Sequence, residues 1–307
     1  MIGKSVNMKS KSNAKPGNAG FRIVPGIWKK IGKRLARVVS NGLFPETCFT
    51  CNEFFDTEEY PGKTPAGADL TDLASESAGH IFPTVMARYL CHVCMADFSP
   101  VTPPICTQCG IQFKSRAGED HLCGQCISAE KPFISARACG QHAGALMKLI
   151  HAYKYSGNTA LGRPFGTLLH IHFLKHYAQT QIDFIIPVPL HKRKLRKRGF
   201  DQVAYMLYHW PWLKTGGQRR TDNGSVLADK LLIRVKNTDT QTGLDRKKRA
   251  ENIKNAFAVT DTDKIRNSRI LLIDDVYTTG ATLEECALAL KRAGASEVYF
   301  LTLARAM

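Results

Sequence analysis

The chain has 307 residues, 44% of them hydrophobic, with 43 Lys or Arg against 26 Asp or Glu and a formal net charge of +17. That length suits one sizeable α/β core plus a smaller module, since domains run roughly 100 to 200 residues. No stretch approaches the roughly 18 uninterrupted apolar residues of a membrane span, and the first residues lack a signal peptide's apolar core, so no span and a cytoplasmic location are expected.

Residues 1–40 contain ten Lys or Arg and no acid. Residues 1–26 are rich in Lys, Ser, Asn, Gly and Pro without hydrophobic periodicity, and are expected to form a disordered basic tail. From 27 to 44 the apolar residues Ile27, Ile31, Leu35, Val38, Val39 and Leu43 recur at helical spacing, which predicts a short basic amphipathic helix. A second cationic run, His191 to Arg198, packs six Lys or Arg into eight positions. Such fields attract polyanions, so nucleic acid, nucleotides and pyrophosphate are natural partners, single-stranded DNA among them.

Residues 45–132 hold eight of the ten cysteines, as four C-x-x-C pairs: Cys48/Cys51, Cys91/Cys94, Cys106/Cys109 and Cys123/Cys126. Each such turn aims two thiolates at one point, and two turns supply the four sulfurs that zinc prefers, so a double zinc-ribbon-like module with two structural zinc ions is expected. A reducing compartment argues against disulfides, and four consecutive motifs argue against a redox pair. Spacing favours Cys106/Cys109 with Cys123/Cys126, and Cys48/Cys51 with Cys91/Cys94 across an insertion at 52–90. An interleaved arrangement is also compatible with it. The insertion reads as a loop or short helix protruding from the first knuckle, and His80, His92 and His121 are not needed as ligands.

Residues 133–307 alternate helix and strand signals. Helices are predicted over 143–153, 160–177, 200–210 and 282–293, and strands over 184–189, 231–235, 256–260, 269–274 and 298–303. This alternation implies an α/β fold, a largely parallel sheet flanked by helices. The sharpest signal is Ile270 to Thr282: four apolar residues of a buried strand, Asp274 and Asp275 at its carboxyl end, then Val276, Tyr277, Thr278, Thr279, Gly280, Ala281 and Thr282 opening a helix. Backbone N–H groups and hydroxyls of Thr278 to Thr282 at a helix amino terminus suit a phosphate monoester. The two carboxylates suit two vicinal sugar hydroxyls. The loop is matched to a ribose 5-phosphate.

All thirteen of these positions resemble the phosphoribosyl diphosphate (PRPP) loop of type I phosphoribosyltransferases. The segments Lys154–Asn158, Pro187–His191 and Arg196–Gln202, with Arg234, Thr240, Gln241, Leu244, Arg249, Asn252 and Ala256–Phe257, resemble the ComF (ComFC or GntX) family of competence-related proteins over about residues 43–305, the paired-cysteine module included. Asp201 stands where that family usually has Asn. The resemblance implies a type I phosphoribosyltransferase fold preceded by a cysteine-rich zinc module. It also implies a pyrophosphate loop carried by Pro189, His191, Arg193, Arg196 and Arg198, with Mg²⁺ bridging the substrate's oxygens and a lid over Lys236–Glu251 bearing Arg246, Lys247, Lys248 and Arg249. Arg196 and Arg198, with Asp274 and Asp275, would then be the catalytic set. Purine-salvage relatives carry an acid where this chain has Thr278, which resembles the orotate and regulatory members. Tyr153 and Tyr155 fall in the acceptor region, 133–180, which has no readable motif. His142, His151, His170, His172 and His176 read as packing or surface residues.

Three functions fit this reading. One is a factor that binds PRPP or a nucleotide in DNA uptake; another is a transferase moving phosphoribosyl from PRPP to an acceptor. The third is an interaction protein whose zinc module docks a helicase-type uptake partner.

Overall fold

The computed structural model describes residues 46–55, 70–115, 117–215, 217–236 and 251–307. The tail expected at 1–26, the helix at 27–44, residues 56–69 of the insertion and 237–250 of the lid, with Arg246, Lys247, Lys248 and Arg249, lie outside the described residues.

The sheet is built on β8 (Arg269–Tyr277), flanked by β9 (Glu297–Arg305) and β2 (Phe184–Pro187), with β1 (Ser135–Gln141) beyond β9. These pairings are parallel, as is that of β2 with β5 (Val226–Leu227). Two short antiparallel strands, β4 (Gln218–Arg220) and β3 (Leu213–Thr215), finish that edge. A separate antiparallel pair joins β6 (Leu232–Arg234) to β7 (Phe257–Val259).

Successive strand residues point to opposite faces, so a strand covered on both sides is apolar throughout. In β8, Leu271 and Ile273 belong to one core, which they share with Leu146 and Leu149 of α5 (Gly144–Tyr155) and Phe165 and Leu168 of α6 (Gly162–Tyr177). Ile270 and Leu272 instead share the other core with Leu283, Cys286 and Leu290 of α10 (Ala281–Arg292). Two cores thus sandwich the sheet, and the α/β fold read from the sequence is the fold observed.

Three local features depart from the reading. Strand β1, Ser-Ala-Arg-Ala-Cys-Gly-Gln, has no β-branched residue and so carries no strand signal of its own. Its small residues are required by what covers it: a Cβ on Gly140 would lie 2.5 Å from the Phe98 ring and 2.9 Å from Leu146. The basic loop after β2 is a short helix, α7 (Lys192–Arg198), ended by Gly199 in the left-handed region at φ 81°. The insertion does not simply protrude. Helices α1 (Leu70–Ser75) and α2 (Ala78–Met86) lie against α6; Ile81, Phe82 and Met86 are buried, and Lys175 of α6 donates to the carbonyls of Ala74 and Glu76 at 3.3 and 2.6 Å. Short helices α3 (His92–Ala96) and α4 (Gly124–Ser128) each begin immediately after a cysteine, Cys91 and Cys123.

Candidate functional site

Strand β8 ends where the parallel sheet's carboxyl edge opens, the usual place for a ligand in such folds. Asp274 and Asp275 sit there, and the Asp275 N–H donates to Asp274 Oδ1 at 2.8 Å. Lys154, on the last turn of α5, places Nζ 2.7 Å from Asp275 Oδ1. Burial, then the Asp275 charge beside it, push the Asp274 carboxyl up to about 8. Thr278 and Thr279 follow, and Gly280 caps α10 at φ 85°, a left-handed conformation that costs other residues energy. A Cβ there would also meet the Tyr277 ring at 2.5 Å.

The carboxylates and the whole loop from Asp274 to Thr282 line a cavity of about 690 Å³. Pro189 lines it as well, and so do four cations: Lys154, Lys194, Arg198 and Arg234. Lys194 and Arg198 stand four residues apart on α7 and therefore share a face. Burial, followed by the charges of Arg234, Arg198 and Lys154, lowers the Lys194 ammonium, and burial lowers Arg234. Cations crowded enough to disfavour one another's charge are relieved by an anion. Arg198 is oriented from both sides: its guanidinium donates to Gln202 Oε1 at 2.8 Å and lies 5.3 Å from the centroid of the Tyr155 ring.

The helical form of 192–198 divides the residues that the sequence reading groups together. Arg198 lines the cavity, whereas Arg193 and Arg196 are exposed and stand outside its lining. His191 also stands outside it and caps α7, its Nδ1 accepting the Arg193 N–H at 3.2 Å. Arg249 lies outside the described residues. Conversely, Lys154, Gln202 and Arg234 belong to the segments that carry the family resemblance but have no site role in the sequence reading, and Lys194 lies outside those segments; all four line the cavity. The signal for Lys194 is its spacing from Arg198, which matters only if the run is helical. His142, read as a packing or surface residue, lines the cavity too, its imidazole pKa lowered by burial and by Lys154. His170 and His172 are buried in α6, where burial holds them down near 4 and 3, so they pack as neutral rings.

Both cysteine groups form. Cys48, Cys51, Cys91 and Cys94 converge, as do Cys106, Cys109, Cys123 and Cys126, with all four sulfurs of each group within 4.8 Å of one another. Cys51 and Cys91 are 3.8 Å apart and Cys109 and Cys123 3.7 Å, against about 3.8 Å for the edge of a tetrahedron with the usual zinc–sulfur bond. Backbone N–H groups of Cys109 and Cys123 donate to Cys106 Sγ at 3.4 and 3.3 Å, which favours its thiolate. Both tetrads fit zinc, closed by four sulfurs, and the consecutive pairing is the one adopted. His80 pairs with Glu76 at 3.2 Å and His121 stacks on Phe113 at 4.0 Å, and neither belongs to a tetrad. The first tetrad joins the core on the α5 and α6 side, the second the core on the α10 side. Among the described residues no helix is long and apolar enough to cross a membrane.

The family profile described as phosphoribosyl transferase domain matches residues 221–307. Competence protein F of Haemophilus influenzae is 30% identical over 222 residues, which cover 71% of this chain and 90% of that protein. The DNA utilization protein YhgH of Escherichia coli is 30% identical over 223 residues, 71% of this chain and 91% of that one. Competence protein ComFC of Streptococcus pneumoniae is 26% identical over 215 residues, 66% and 87% of the two chains. With that identity across nine-tenths of its relatives, two four-cysteine groups and a parallel sheet carrying a phosphoribosyltransferase-type loop, the chain belongs to the ComF family of competence proteins.

Proposed function

We propose that this protein binds PRPP, or a nucleotide sharing its ribose 5-phosphate, in a process by which the cell takes up or uses external DNA. The observation that carries the reading is the meeting, in one cavity, of Asp274 and Asp275, a Gly280-capped loop and four cations. The carboxylates accept hydrogen bonds from the ribose hydroxyls, and the loop at the start of α10 receives the 5-phosphate. Lys194, Arg198 and Arg234 face the pyrophosphate. Mg²⁺ would neutralise pyrophosphate charge when bound. Asp274 and Asp275 are the carboxylates among the described lining residues, so a cation at the site would be held by them and by the ligand's own oxygens. The link to external DNA rests on the names of the relatives, which refer to competence and DNA utilization. Calorimetric titration of PRPP with Mg²⁺ into the purified protein tests the binding; no heat at high micromolar protein would reject it.

The completeness of the donor half favours a second reading, in which the same site transfers phosphoribosyl. The bond from C1 to the pyrophosphate oxygen breaks, pyrophosphate leaves with the electron pair, an acceptor's lone pair forms the new bond to C1 and the acceptor's proton passes to water. Lys194 and Arg198 would meet the charge developing on the leaving group. Release of pyrophosphate across a panel of bases and amines separates the two readings.

A further inference from the structure

Arg305, at the end of β9, is buried, and among the described residues no carboxylate lies within ion-pair distance of it. Carbonyls hold it instead: it donates to Tyr277 O at 3.0 Å, Thr278 O at 2.6 Å and Cys109 O at 3.3 Å, and its guanidinium lies 3.8 Å from the Tyr277 ring centroid. A buried guanidinium held only by carbonyls is costly unless negative charge is near. With zinc bound, the second tetrad would supply that charge, since zinc with four thiolates carries a net charge of about −2. A trans peptide is planar, with C=O and N–H opposed. Holding the Thr278 carbonyl toward Arg305 therefore turns the Thr279 N–H away from Arg305, and Thr278 and Thr279 both line the cavity.

We infer that Arg305 is a positioning residue that sets the peptide planes of the phosphate loop, and that it does so in register with the zinc site at Cys106, Cys109, Cys123 and Cys126. With metal bound, the Cys109 turn would be fixed and the tetrad would supply the counter-charge; the guanidinium, bonded to the carbonyls of Cys109 and Thr278, passes both constraints to the loop. A second tie runs beside it, Lys131 following the tetrad and pairing with Glu284 of α10 at 2.9 Å. The consequence for PRPP affinity rests on the function proposed above. The ordering of the loop does not.

The experiment follows both in full-length protein purified with zinc present by hydrogen–deuterium exchange over residues 274–283 and by PRPP titration. Arg305→Gln is expected to speed loop exchange and weaken PRPP about tenfold each, the usual effect of losing a charged hydrogen bond. Arg305→Lys, which keeps the charge but not the fork, is intermediate, and Cys123→Ser moves loop exchange the same way without touching the loop. Arg292→Gln, removing an ion pair at the far end of α10, is the control. If Arg305→Gln does not fold, Arg305→Lys and Cys123→Ser decide. Wild-type loop exchange in both overturns the inference. Altered exchange in a protein that never binds PRPP supports the inference and ends the function proposed above.

Discussion

Lys154 and Asp275, 121 residues apart in the chain, form a 2.7 Å ion pair at the mouth of β8, with both side chains mostly buried. The pair leaves Asp274 as the second acid of the site, and Asp274 is the one that burial and the Asp275 charge push up to about 8. A ribose hydroxyl donates best to an ionised carboxylate. Below pH 8, PRPP binding should therefore release a proton, and affinity should rise with pH up to that value. Calorimetry at pH 7 in two buffers of different ionisation enthalpy reads the proton directly; identical apparent enthalpies would contradict the assignment.

The same shift sets a stability prediction. An unfolded aspartate ionises near 4, about 3.9, while folded Asp274 holds its proton to about 8. The unfolded state thus ionises first, and this site's contribution to stability is whole below about pH 4 and is lost as pH rises through the folded value. Asp274→Asn should raise the denaturation midpoint relative to wild type, by more at pH 8 than at pH 5. With Asp275→Asn added, the variant should remain folded and lose PRPP binding by at least about a hundredfold, since charge-assisted hydrogen bonds are worth roughly 1.5 to 3 kcal/mol each. Equal affinity in wild type and double variant would mean the loop holds something else.

The two faces of α7 should separate two functions. Arg198→Ala and Lys194→Ala remove cavity cations and should weaken PRPP binding, each by about tenfold. Arg193→Ala with Arg196→Ala removes exposed charge and should leave PRPP affinity near wild type while weakening single-stranded DNA. The slope of DNA affinity against salt should flatten by about 0.7 for each phosphate the protein no longer neutralises. Deleting residues 1–40, with ten cations, should flatten it further. A fluorescence titration at three salt concentrations measures both, and no binding at any salt would remove nucleic acid as a partner.

Purified protein should hold about two zinc ions per chain, one per tetrad. Metal analysis of undegraded, unoxidised protein giving one ion or fewer would rule out one site. The metals should exchange slowly and leave no coordination position for water, since each site is closed by four sulfurs.

Gly280→Ala should disable the loop without unfolding the domain. The left-handed φ costs a non-glycine residue roughly 1 to 2 kcal/mol, and the Tyr277 ring, held beneath Arg305, cannot retreat from the added methyl. A loss of PRPP affinity with a thermal midpoint lowered by only about 2 to 8 °C, the protein still folding cooperatively, is the expected pair of results.

Short-range chemistry determined much of this protein from sequence alone. Four C-x-x-C turns specify thiolate clusters because their ligands are neighbours, and Ile270 to Thr282 specifies strand, acids and helix start within thirteen consecutive residues. The grouping of the tetrads followed spacing, yet only the folded chain chose between consecutive and interleaved pairs. What tertiary structure decided is whatever depends on distant partners. Strand β1 is legible only beside Phe98 and Leu146, whose bulk demands small residues there. The cation set differs from the linear reading because a helix, not a loop, carries the basic run, turning Lys194 and Arg198 inward and Arg193 and Arg196 outward. Lys154 and Arg234 join them from segments well before and well after that helix. The link from Cys109 through Arg305 to Thr278 spans 196 residues. No local pattern encodes it, because a hydrogen bond between chain-distant groups exists only after the sheet has brought them together.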